Sequence, residues 1–234
     1  MLINKAQQFA NLLQKHKQEI GKVVDFDPEK DCLFPFDFTA SNTSLRAETV
    51  ADTNAFSTWV ETTLQQNHCR YGIGGYFEHR TLYARSALFN TSDEPRRLHL
   101  GIDIWGGAGT PVYAPFTGKI HSYADNNHFG DYGATIILEH TLEDLTFFAL
   151  YGHLNRKSLE GLVPGKIFQK NEEIAQFGIA AENGNWPPHL HYQLMFDMEG
   201  KVGDYPGVCK FSEKEKYLQN IPDPNLILRF PVQR

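Results

Sequence analysis

The sequence predicts a mainly β protein, α+β overall: an antiparallel sheet or two packed sheets in the middle of the chain, with helices ahead of it. Two observations carry this. From Leu98 onward short apolar runs recur, among them GIDIW, PVYAP, ATIILEH, LTFFALYGHL and HLHYQLMF. They are rich in β-branched and aromatic residues and are bounded by Gly, Pro, Asn and Asp, the punctuation of strands. Ahead of Leu98 the texture differs, and apolar residues fall at helical spacing.

Leu2, Ala6, Phe9, Leu13, Ile20 and Val24 recur at roughly one helical face, with Lys and Gln opposite. This predicts an amphipathic helix over 3–23 that packs on the body of the protein. A Gln-rich polar face argues against a membrane-surface helix. Residues 25–54 carry Pro28, Pro35 and many polar residues and predict an irregular linker with room for one short strand. AFSTWVETTLQQN (55–67) predicts a second helix, and the Gly- and aromatic-rich stretch 71–89 strand and loop. After Gly200, Ser212 and Glu215 stand at capping-box spacing for a short helix. Pro222 and Pro224 argue for an extended tail. The chain therefore divides into 1–95, a β domain over 96–198, and a carboxy-terminal extension over 199–234.

The 234 residues carry 22 Lys+Arg against 28 Asp+Glu, a net charge of −6. A mildly acidic chain without basic runs argues against nucleic acid or an anionic membrane as partner. No apolar stretch approaches the ~18 residues of a transmembrane helix. Cys32, Cys69 and Cys209 are odd in number and widely spaced, which predicts reduced cysteines of a cytosolic protein. The amino terminus has no apolar signal-peptide core, so a cytoplasmic location is expected, or a periplasmic or extracellular one if export uses another route.

Chemistry is expected where histidines adjoin β segments. In HLH (189–191), side chains at i and i+2 share one face of a strand, so His189 and His191 supply half of a transition-metal site or, alternatively, a solvent-facing pair on an edge strand. In HLGID (99–103), a flat strand would separate His99 and Asp103 by ~13 Å, too far to share one ion through bonds of ~2 Å. A metal reading thus demands a bend at Gly101; otherwise His99 is a loop residue and Asp103 a turn former. His153 follows a glycine in YGHL, as a site residue or a rim histidine.

HxxxD, then YGHL, then HxH, in that order, resembles the lysostaphin/LytM-type zinc metalloendopeptidases. TPVYAPFTGKI (110–120) resembles the family's strand-turn-strand after the first ligands. ATIILEH (134–140) resembles the strand before its histidine-bearing hairpin. Leu162, Gly165, Phe168, Asn171 and Ile174 follow its three-spaced turn pattern, with Asn171 at a position often held by Gly. PHLHYQL (188–194) resembles its ending. The resemblance covers about residues 96–198 and implies the duplicated hybrid motif β fold. It implies zinc (Zn2+) on His99, Asp103 and His191 with water in the fourth position, and His153 and His189 as the catalytic pair. There is no H-E-x-x-H helix, so a glutamate-based design is excluded.

The loop GIAAENGNWPPHLH (178–191) departs from the family's approach to the last ligand. It offers Asn183 and Trp186 as substrate-binding residues, Trp186 as a platform or as a packed aromatic. Pro187 and Pro188 are expected to stiffen one wall of the site. The implied function is hydrolysis of a peptide or amide bond, with bacterial peptidoglycan fragments among the candidate substrates. The alternatives are a non-catalytic zinc-binding or scaffolding protein on the same fold, and a phosphocarrier, against which the acidic Asp103 argues. His16, His68, His79, His121, His128 and His140 are expected to be structural, His79 alone reaching toward the cleft rim.

Overall fold

The structure is a computed structural model that describes residues 5–91 and 93–231. In chain order it contains α1 (Lys5–Lys15), β1 (Leu33–Phe36), α2 (Ala47–Ala51), α3 (Thr53–Gln66) and β2 (Tyr71–Gly74). Two short 3-10 turns follow, Thr81–Arg85 and Ala87–Phe89. Then come β3 (Leu98–His99), β4 (Ile102–Trp105), β5 (Pro111–Tyr113), β6 (Gly118–Asn126), β7 (Gly133–Leu142) and β8 (Leu145–Leu154). The last elements are β9 (Ile167–Phe168), β10 (Glu173–Gln176), β11 (His189–Met195), β12 (Val208–Cys209), α4 (Lys214–Asn220) and α5 (Asn225–Leu228).

One eight-stranded sheet runs in the order β1-β2-β4-β11-β8-β7-β6-β9. Only the β1–β2 pair is parallel; every other pairing in it is antiparallel. The expected mainly β, antiparallel architecture is what the chain adopts. β11 is central, between β4 and β8, and not an edge strand. Its alternation is complete. Leu190, Tyr192 and Leu194 are fully buried in a core with Ile102, Ile104, Tyr151 and Phe9 of α1. Each such side chain contributes about 1.5–3 kcal/mol. His189, His191 and Gln193 face the other side, which is buried as well. There a second cluster holds Phe38, Phe56, Tyr83 and Phe89 from ahead of the β domain together with Trp105 and Trp186 from within it.

The flanks are more integrated than the three-part division suggests. β1 and β2, from the amino-terminal region, continue the main sheet, and β12, from the carboxy-terminal extension, pairs with β3. The amino-terminal helix ends at Lys15, and the part of its expected span before residue 5 lies outside the described residues. Ile20 and Val24 are buried as predicted, with Val23 beside them, but on an irregular, non-helical segment. Its backbone bonds β5 and the residues after it: Gly21 N donates to Pro115 O at 2.8 Å, and Tyr113 N to Val23 O at 2.9 Å. These partners, with two adjacent β-branched residues, outcompete further helix. The second helix starts two residues early because Asp52 accepts from Ala55 N (2.8 Å) and caps it.

Three further expectations change, and a fourth holds. Cys32 and Cys69 form a disulfide, because parallel pairing of β1 and β2 brings their Cα atoms to 4.3 Å; Cys209 is free and buried. Ser212 does not cap a helix: it bonds the Glu94 carboxylate, and Glu213 instead accepts from Lys210 N at 3.2 Å. The tail is not wholly extended, since Pro224 opens the single turn α5, a position where its missing N–H costs nothing. Asn171 has φ 65°, so the exchange for glycine works through the left-handed region, as anticipated.

Candidate metal centre and catalytic site

β4 and β11 pair with His191 directly opposite Asp103, so their side chains start side by side on one face. His99 reaches the same point because the chain bends at Gly101, as the metal reading demanded. A Cβ at Gly101 would lie 2.7 Å from the His191 ring and 2.8 Å from Tyr192 O, so only glycine fits the bend. The result is three donor atoms at one spot. His99 Nε2 and His191 Nδ1 are 2.9 Å apart, and each lies 3.1 Å from Asp103 Oδ1. These three are the one group among the described residues that could hold a metal ion.

The donor set fits a cation. His99 Nδ1 lies 2.9 Å from Gly75 O, an acceptor, so this nitrogen carries the proton and Nε2 presents a lone pair. His191 Nε2 donates to Gln193 Oε1 at 3.0 Å, and Gln193 is oriented by donating Nε2–H to Pro206 O at 3.1 Å. His191 Nδ1 is therefore unprotonated too. Burial pushes His99 down to about 3, helped by the charge of Arg80, so it stays neutral. Burial alone would raise the Asp103 carboxyl; the facing His99 and Arg80 outweigh it and hold it well below the usual carboxylate range. Two imidazole lone pairs and a carboxylate oxygen thus point at each other with no proton between them. That arrangement is unfavourable alone and is satisfied by a divalent ion such as zinc.

His153 and His189 stand beside the triad with ring centroids 4.1 Å apart. His189 stacks on Trp105 at 3.9 Å and donates Nδ1–H to Pro187 O at 2.7 Å. The Pro187 carbonyl thus orients the ring, a role separate from the expected stiffening of the wall. His153 donates Nδ1–H to Asn183 O at 2.8 Å. Its φ is 62°, and Gly152 before it lets the Tyr132 ring approach to 2.6 Å from where a Cβ would sit. Burial lowers His189 to about 4 and His153 well below its ordinary value, so both are neutral with Nε2 free to take a proton.

Asp103, His153, His189 and His191 line a cavity of about 110 Å³, as do Trp186 and Tyr132. Trp186 is only 3% exposed and packs against Tyr83, His153 and His189. It is both wall and packed aromatic. Asn183, expected to meet substrate, turns inward: it is fully buried, donates to Gly178 O and accepts from Trp186 N. It serves the site by presenting its carbonyl to His153. His79 is exposed and does not line the cavity.

Sequence reasoning missed Tyr132, Gln193 and Arg80. Tyr132 donates to Tyr205 O at 3.2 Å and lies 3.4 Å from His191 Nε2. Gln193 could have been found, since it continues the i, i+2 face of HLH. Tyr132 and Arg80 lie in loops, where no periodicity marks an inward side chain.

Residues 97–202 match the model of peptidase family M23. No curated protein matches the chain. Similar solved structures include a zinc-containing peptidase from Vibrio cholerae, 24% identical, covering 42% of this chain and 27% of that one at TM-score 0.34. The catalytic domain of lysostaphin from Staphylococcus simulans is 21% identical and covers 74% of this chain and 98% of its own at TM-score 0.43. The catalytic domain of a prophage-encoded M23 protein from Enterococcus faecalis is 20% identical, covering 50% and 95% at TM-score 0.36. The chain thus spans about a quarter of the Vibrio protein.

Proposed function

We propose that the chain is a zinc-dependent endopeptidase that hydrolyses a peptide bond, with crosslink peptides of peptidoglycan as its substrate class. The observation that carries this reading is the convergence of His99 Nε2, Asp103 Oδ1 and His191 Nδ1, beside two neutral histidines with free Nε2 atoms. The match of residues 97–202 to the model of peptidase family M23 supports the peptidase class. His99, Asp103 and His191 would hold the ion. When bound, zinc supplies Lewis acidity toward a water and a carbonyl oxygen. His189 and His153 divide the proton work. One Nε2 accepts the proton of the attacking water; that proton, passed between the adjacent rings, is what lets the other stabilise the developing oxyanion or protonate the leaving amine. Trp105 beneath His189, and the carbonyls of Pro187 and Asn183, keep both rings in the tautomer this needs.

The test is release of new amino termini from peptidoglycan fragments by zinc-loaded protein, compared with His153→Ala and His189→Ala. Turnover by the wild type and loss in both variants is expected. No release by the zinc-loaded wild type would overturn the reading.

One observation favours the second reading, a zinc-holding scaffold. Each of the five site residues is at most 6% exposed. The cavity beside them is about 110 Å³. Tight zinc with no hydrolysis of any crosslink peptide would select the scaffold. The Cys32–Cys69 disulfide supports a periplasmic or extracellular setting over the cytoplasm.

A further inference from the structure

Asp103 has two oxygens, and only Oδ1 faces the histidines. Oδ2 accepts from Arg80 Nη1 at 2.5 Å. Arg80 is 1% exposed, and its guanidinium is held on other sides as well. Nε donates to Glu78 Oε2 at 2.6 Å, and Nη1 to Tyr83 OH at 3.2 Å. Glu78 is fixed in turn by accepting from Phe38 N at 3.0 Å. None of these residues lies within the matched span 97–202.

The register explains how the guanidinium gets there. β2 pairs with β4 so that Gly74 stands directly opposite Asp103. A Cβ on Gly74 would lie 2.4 Å from Arg80 Nη2. The missing side chain leaves the space through which Arg80 reaches the carboxylate. The next residue, Gly75, gives its carbonyl to His99 Nδ1. Residues 74–83 therefore frame two of the three donors.

We propose that Arg80 is a positioning residue for the metal centre: it occupies Oδ2 so that Asp103 presents a single oxygen to the ion. This rests on the metal reading above. A carboxylate free at both oxygens can bind in a bidentate fashion and fill the position that a water needs in an open four-coordinate site. The amino-terminal region is then part of the centre and not a wrapper around it.

The test uses the full chain loaded with cobalt(II), whose visible absorption reports coordination number, together with zinc affinity by competition with a chelator. Arg80→Lys keeps the charge and loses the fork that spans Glu78 and Asp103, so a change reports geometry and not field. Its zinc affinity is expected to fall by about 10–100-fold, the usual cost of losing a ligand's outer partner. Its cobalt absorption is expected to weaken toward that of five-coordinate sites. Gly74→Ala places a Cβ against the Arg80 guanidinium, with the Phe38 ring next at 3.2 Å, and covers the case in which Arg80→Lys fails to fold. It is expected to change both readouts in the same direction and by less. Variants Arg80→Lys and Gly74→Ala with wild-type affinity and spectrum would overturn the inference alone. A wild type that takes up no cobalt would overturn the metal reading and this inference with it.

Discussion

His140 on β7 and His191 on β11 lie two strands apart in one sheet, and both are buried. His140 lies 3.2 Å through Nδ1 from Thr117 O, leaves Nε2 without a partner, and packs between Phe116 and Phe147. Burial pushes it down to about 4. By burial, neutrality and a free ring nitrogen it is as good a candidate as His189. What differs is the surroundings of the free nitrogen. At His140 they are aromatic; at His191 they are a second imidazole and a carboxylate. A perturbed histidine becomes a site only where other lone pairs converge on it.

That contrast can be broken at either end. The largest effect is expected from Asp103→Ala or His191→Ala: zinc content at background, and hydrolysis reduced about 10³-fold or more, the scale of several kcal/mol of lost charge stabilisation. Elemental analysis and a turnover assay check both. Next, His153→Ala and His189→Ala should keep the zinc and lose about 10²–10⁴-fold in turnover. Zinc loss in either would make it a ligand and redraw the site. At the other end, His140→Ala should cost about 2–4 kcal/mol in denaturant unfolding, as for other large-to-small core changes, with zinc content and turnover unchanged.

The smallest effect is on pH dependence and involves both ends. His99, His140 and His189 are depressed from 6.5 to about 3, about 4 and about 4. For such groups the unfolded chain binds protons before the native one does. Their stabilisation is complete above pH ~6.5 and is lost as pH falls through the folded values, so metal-free protein should weaken between pH 6.5 and 4. His140→Ala should flatten that slope, and an unchanged slope would mean that His140 is protonated or exposed in the native state.

Much of this was legible in the sequence, and particular residues show why. HLH at 189–191 fixes a shared face because strand geometry leaves no choice. HLGID required a bend at Gly101 for any shared ligand, and the bend is there. Ile20 and Val24 were legible as core, but not as non-helical, because helical and irregular segments can bury the same residues. Arg80 was illegible. YFEHR drew attention to His79, which points outward, while its neighbour reaches the centre through space that Gly74 vacates. The Cys32–Cys69 bond was hidden for the same reason, since it depends on β1 and β2 pairing across 37 residues of chain.

The central claim is that three converging lone pairs hold a metal ion. It is tested most directly by zinc content after purification without chelator, for the wild type, His191→Ala and His140→Ala side by side. The account predicts about one zinc per chain in the wild type and in His140→Ala, and none in His191→Ala. A wild type that stays metal-free after incubation with zinc, or a His191→Ala that keeps it, would contradict the account.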